Sequence, residues 1–211
     1  MPRYMTTINP TSSAILVIDM TNGFLEPGAV DYVPSGQGLV PLLDQFLTQC
    51  RQYGIQIFYT SLEYQPDQSN MNHIVRMDQE KRGPHLIAGS HETEIYPGCA
   101  PKAGDKIIRR NNYSAFANTQ LDQLLRYNGI DLIAIAGVCT DVACFATARD
   151  AMYRNYDVAL LSDLTATVAW PDAGFGTVSE EEYRIAAMNN MSQTNCDVME
   201  SKRFLSMIHI G

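Results

Sequence analysis

Residues 137–151, GVCTDVACFATARDA, hold the chain's densest set of chemically useful groups. The apolar run DLIAIAG leads into them, and a helical pattern carrying Ala146, Thr147, Ala148 and Ala151 leads out. A strand, a tight turn and a helix N-terminus in that order leave backbone N–H groups pointing outward, where they stabilise an anion or a thiolate. Such a place could host a nucleophile or an oxyanion. Two thiols, Cys139 and Cys144, flank the turn, and Ala143 stands beside the second.

Short β-rich apolar runs alternate with helical patterns along the whole chain. Strands are expected at Ala14 to Ile18, Gln56 to Thr60, Lys106 to Arg109, Leu132 to Ala136 and Asp157 to Leu161, with a short last one at Asp197 to Met199. Helices are expected at Leu39 to Tyr53, with Leu42, Leu43, Phe46 and Leu47 on one face and Gly54 as the stop, and at Leu121 to Asn128. Others fit Val142 to Arg154, Glu180 to Met191 and Lys202 to Met207. Wholly apolar strands separated by helices predict an α/β, doubly wound, mostly parallel sheet with helices on both faces. Ligands bind such sheets beyond the carboxyl ends of the strands. Asp19, Arg110 and the 137–144 turn are therefore expected to converge. Residues 61 to 105 have no clear pattern and are a candidate lid or subunit contact. Asp141, just ahead of the helical pattern, is expected to cap that helix.

The 211 residues suffice for one domain with a core of its own, and 1–211 is read as one. With 45% apolar and 18% charged residues the composition is globular, and no apolar run approaches the roughly 20 residues that span a bilayer. No secretory pattern precedes the first strand, so a cytoplasmic location is expected. Five scattered cysteines without a C-x-x-C pair argue for free thiols over disulfides or zinc. A net charge of −8 without a basic cluster argues against nucleic acid.

Three segments in order resemble the isochorismatase-like cysteine hydrolases, the family of isochorismatases, nicotinamidases, and N-carbamoylsarcosine, biuret and ureidoacrylate amidohydrolases. AILVIDMTNGF is similar to that family's first strand with its D-M-Q-N-D-F segment. DKIIRRNNYSAFANTQLDQLL is similar to its lysine-bearing strand followed by S-x-F-x-x-T-x-L, and IAGVCTDVACFATARDA to G-[VI]-x-T-D-V-C-V-x-x-T-A-x-D-A. VALLSDLTAT is similar to the strand that follows. The resemblance implies a Rossmann-like three-layer fold and a triad of aspartate, lysine and cysteine. Asp19 takes the aspartate position. Arg110 stands at the lysine position and Ala143 at the cysteine position, so two of the three depart from the pattern. Arg110 supplies a fixed positive charge but cannot shuttle a proton as a perturbed lysine can. Ala143 has no reactive atom. The resemblance also implies a cis peptide at Val138–Cys139, with an oxyanion hole built from backbone N–H groups near Cys139 and Ala143.

Three readings of Ala143 stand side by side. In the first, the active form carries cysteine there and cleaves a C–N bond of a small amide or ureide through a thioester, so the chain with alanine is inactive or impaired. In the second, the cysteine is absent by nature, as in isochorismatases, and Asp19 protonates a vinyl ether; inward-facing Lys102, Lys106 or Arg82 would favour that reading. In the third, Cys144 or Cys139 has taken over, or the protein binds a small metabolite without catalysing. Cys144 lies about 100° around the helix from position 143, aimed at the core. Cys139 reads as a wall of the site. Phe24, Tyr113, Phe116, Val138 and Trp170 are candidate substrate contacts. Nicotinamidases of the family hold zinc through a D-x-H-like segment after the second strand; here it reads YTSLEYQPDQSN, so neither metal nor other cofactor is expected. His85 and His91 are candidates to reach the pocket from residues 61 to 105, while His73 and His209 have no assigned role. A homodimer or homotetramer is implied by the resemblance.

Overall fold

The computed structural model describes residues 5–209. In chain order the elements are β1 (Ser13–Ile18), α1 (Asn22–Leu25), α2 (Gly36–Gln52), β2 (Gln56–Leu62), α3 (His73–Arg82), β3 (Lys106–Arg110), α4 (Leu121–Tyr127), β4 (Leu132–Val138), α5 (Phe145–Tyr153), β5 (Asp157–Ala166), α6 (Glu180–Thr194), β6 (Asp197–Met199) and α7 (Ser201–Ser206). The sheet is parallel throughout, in the order β3-β2-β1-β4-β5-β6. This is the doubly wound α/β arrangement that the alternation of patterns predicts.

Side-chain alternation along the central strands divides the core in two. Ile15 and Val17 of β1, Ile57 and Tyr59 of β2, and Ala134 and Ala136 of β4 face α2 and α7. Leu16 and Ile18 of β1, Phe58 of β2, and Ile133 and Ile135 of β4 face α4, α5 and α6. Each large side chain buried this way contributes about 1.5–3 kcal/mol. On α2 the buried stripe is Leu39, Leu43, Phe46, Leu47 and Cys50. Leu42 is half exposed and departs from the expected face, because its neighbours at three- and four-residue spacing already fill the contact with the sheet.

Two elements depart from the sequence pattern. Residues 61–105 include α3, whose Asn72 side chain accepts a hydrogen bond from the Val75 N–H (3.0 Å) and whose Gly83 ends it at φ 88°. Only Val75 and Gln79 of α3 are buried, so its apolar periodicity is faint. The expected helix at Val142 begins earlier, with a π-helical turn over Thr140–Cys144 in which the Cys144 N–H donates to the Cys139 carbonyl (3.1 Å).

The order of strands reverses between β1 and β4, which pair directly, Ile18 opposite Gly137. A ligand crevice forms beyond strand ends at such a reversal. Gly137 is what lets the strands approach: it has φ 112°, and a Cβ there would lie 2.0 Å from the Ile18 carbonyl oxygen.

Candidate active site

A cavity of about 370 Å³ opens at this reversal. Its base is made by Asp19 after β1, Arg110 at the end of β3, and Cys139, Val142 and Ala143 of the turn after β4. The three expected strand ends thus meet. Asp19 has φ 48°, a left-handed conformation that costs a non-glycine residue about 1–3 kcal/mol unless its surroundings impose it. Thr60 of β2 does so: its hydroxyl accepts from the Asp19 N–H (3.2 Å) and donates to Oδ1 (2.8 Å).

Arg110 donates through Nη2 to Asp19 Oδ2 and through Nη1 to the Asn112 carbonyl. Both side chains of the pair are almost wholly excluded from water. Burial pulls the guanidinium pKa down to about 10, which leaves it charged at neutral pH. Its Nε–H has no partner. A carboxylate offers roughly four acceptor sites, so two donors leave Asp19 able to take up a proton.

The thiols are poorly placed to act. Burial pushes Cys139 up to about 12 and Cys144 well above the ordinary thiol value. Cys144 is fully buried in the core between the sheet and α4–α6 and does not line the cavity. The peptide between Val138 and Cys139 is cis.

Other expected contacts divide. Phe24, Tyr113 and Trp170 line the cavity. Phe116 and Val138 do not: Phe116 stacks on Tyr156 (5.9 Å between centroids) beneath Arg154, and Val138 points into the core facing α2. Asp141 caps nothing; its carboxylate accepts from Thr167 Oγ1 and from Trp170 Nε1 (2.7 Å), so it fixes a cavity wall. His85 lines the cavity, whereas His91 pairs outside it with Glu26 (2.9 Å).

The far wall joins the candidates Arg82 and His85 to Asp31 and Asp78, to which the sequence did not point. Arg82, the last residue of α3, donates to Asp78 Oδ1 and Oδ2 (2.7 and 2.5 Å) and to Asp31 Oδ1 (2.7 Å). Beneath them His85 holds the Gly83 carbonyl with Nδ1 (2.8 Å) and turns Nε2 toward Asp78 and Asp31, at 3.3 and 3.5 Å. The Gln79 amide clamps the His85 backbone at both its N–H and its carbonyl. The Asn72 cap and the Gly83 stop were the readable signals for α3. Lys102 and Lys106 are not among the lining residues. Leu62, Tyr64, Ile74, Val75 and Leu86 also line the cavity. Among the described residues no group of three or more His, Cys, Asp or Glu side chains has the arrangement of a metal site.

The model of the isochorismatase domain matches residues 13–203. The chain belongs to the isochorismatase family. Within it the chain is 28% identical, over 177 residues, to the ureidoacrylate amidohydrolase RutB of Rhizobium rhizogenes, covering 75% of this chain and 72% of that protein. It is 33% identical over 160 residues to the Arabidopsis thaliana protein named "Probable inactive nicotinamidase", covering 74% and 81%. A cysteine hydrolase from Pseudomonas syringae pv. phaseolicola superposes with a TM-score of 0.91 at 28% identity, over 98% of this chain and 95% of that one. Family membership accounts for the fold and for the convergence of the three strand ends. Ala143 and Arg110 remain features of this chain's own sequence.

Proposed function

We propose that this protein binds a small amide or ureide at the Asp19–Arg110 end of the cavity, and that its hydrolytic chemistry requires a cysteine at position 143. With cysteine there, the sulfur would attack the carbonyl, Asp19 would accept the thiol proton and return it to the leaving amine, and Arg110 would supply fixed positive charge. The products of that step are a thioester and free amine; water then releases the acid and the thiol. With Ala143 the chain binds without forming a thioester.

One observation carries this reading. Ala143 borders the cavity beside a carboxylate and a guanidinium, while the neighbouring thiols Cys139 and Cys144 are buried and held protonated. The amidohydrolase relative supports the choice of a C–N bond. Vinyl ether hydrolysis is less well supported. Of the cations that would favour it, Lys102 and Lys106 do not line the cavity, and Arg82, although it does, is engaged by Asp31 and Asp78. A homo-oligomer working in the cytoplasm fits this reading and is part of the proposal.

The test is ammonia release from a panel of small amides and ureides by the chain and by its Ala143→Cys form. Release by the cysteine form alone is expected. Release by the unaltered chain, or silence from both, would overturn the reading.

A further inference from the structure

The lining of the cavity carries three carboxylates, Asp19, Asp31 and Asp78, against two guanidiniums, Arg82 and Arg110. Both guanidiniums are already engaged. Arg110 is bound to Asp19 and to a backbone carbonyl, and Arg82 to both carboxylates of the far wall and to the Val30 carbonyl (3.1 Å). A positive charge on His85 would bring the total only to balance. Among the described residues of the lining, an anionic ligand group therefore meets no arginine or lysine that is not already paired with a carboxylate. A donor-rich group at the far end meets Asp31 and Asp78, whose side chains are partly exposed and whose acceptor sites Arg82 only partly fills. His85 beneath them is almost fully buried and locked by Gln79, so this wall is rigidly mounted. Arg82 holds Asp78 below the usual carboxylate range, in keeping with an ionised acceptor.

We infer that Asp31 and Asp78, held by Arg82 and His85, select among substrates: they admit an amide or ureide whose far end is neutral or cationic and exclude one that ends in a carboxylate. This rests on the binding reading above and narrows it to a charge class. Carboxylate-ended substrates are commonly held by an arginine or lysine free to pair with them, and the two arginines of this lining are already paired.

Calorimetry at low salt on the unaltered chain tests this with three ureas of similar size: propylurea, (2-aminoethyl)urea and 3-ureidopropionate. The neutral and cationic ureas are expected to bind about tenfold or more tightly than the anionic one, since like charges brought together at a binding site are strongly disfavoured. The paired variant Asp31→Asn/Asp78→Asn keeps the shape of the wall and frees Arg82, so the order should invert in favour of 3-ureidopropionate. A merely structural role would weaken all three ureas alike. Preference of the unaltered chain for 3-ureidopropionate, or an unchanged order in the variant, would overturn the inference. Should none of the ureas bind, the binding reading falls by itself. The wall is then probed with propylammonium against propionate by ligand-observed NMR, where anything but a preference for propylammonium overturns the inference.

Discussion

The two ends of the cavity use the same residue types to opposite effect. At the base, Asp19 and Arg110 form one pair sealed from water, with 1% and 0% of their side chains exposed. At the far wall, Asp78 and Arg82 are 36% and 41% exposed and share their charge with Asp31 and His85. A sealed pair repays its desolvation only while both partners remain, whereas a half-exposed network is screened and tolerant of change. The base is therefore a fixed electrostatic instrument, and the far wall is where selectivity can vary at little cost in stability.

The contrast can be broken by mutation. Asn tolerates positive φ, so Asp19→Asn removes the charge without adding backbone strain and leaves Arg110 buried and uncompensated. We expect a loss of about 3–5 kcal/mol, read from the urea midpoint. Adding Arg110→Met should recover most of that loss. Trp170→Phe deletes the hydrogen bond to Asp141 and should cost about 1 kcal/mol, with weakened ligand binding seen by calorimetry, because that bond fixes a cavity wall. Asp78→Asn at the far wall should cost about 1 kcal/mol or less. Equal losses for Asp19→Asn and Asp78→Asn would erase the distinction between the two ends.

The smallest effect is one of pH. Arg82 depresses the pKa of Asp78 in the folded protein below its ordinary value of 3.8. Its contribution is therefore present above that value and is lost as pH falls through the folded pKa. The stability difference between the unaltered chain and Asp78→Asn, followed by urea titration, should shrink only in that acid range. Exposure of the pair keeps the change small.

How legible these parts were depends on the range of the interactions that make them. Strands β1 and β4 were readable because both faces are buried and their runs are almost wholly apolar, and β2 and β5 because each has a buried apolar stretch, Ile57–Tyr59 and Val158–Leu161. Asp19, Arg110 and the 137–144 turn were readable because strand ends converge in a doubly wound sheet. The helix α3 was not, since its buried face amounts to two residues and its tie to the rest of the cavity includes a charge pair from Arg82 to Asp31, distant in sequence. The same reason hid Asp31: local spacing carries no signal that residues 31 and 82 meet, although Arg82 was itself a candidate to face the cavity. Asp141 shows the opposite error. Its position before a helix suggested a cap, and the π-helical turn with the Thr167 and Trp170 partners drew its carboxylate elsewhere.

The most direct measurement is the intact mass of the Ala143→Cys protein and of the unaltered chain, each quenched in acid shortly after mixing with an amide or ureide that the Ala143 form binds. A mass increase equal to the acyl group, mapped to residue 143 and absent from the unaltered chain, is the expected result. An adduct on Cys139 or Cys144 of the unaltered chain, or turnover by it, would contradict the assignment of the chemistry to position 143.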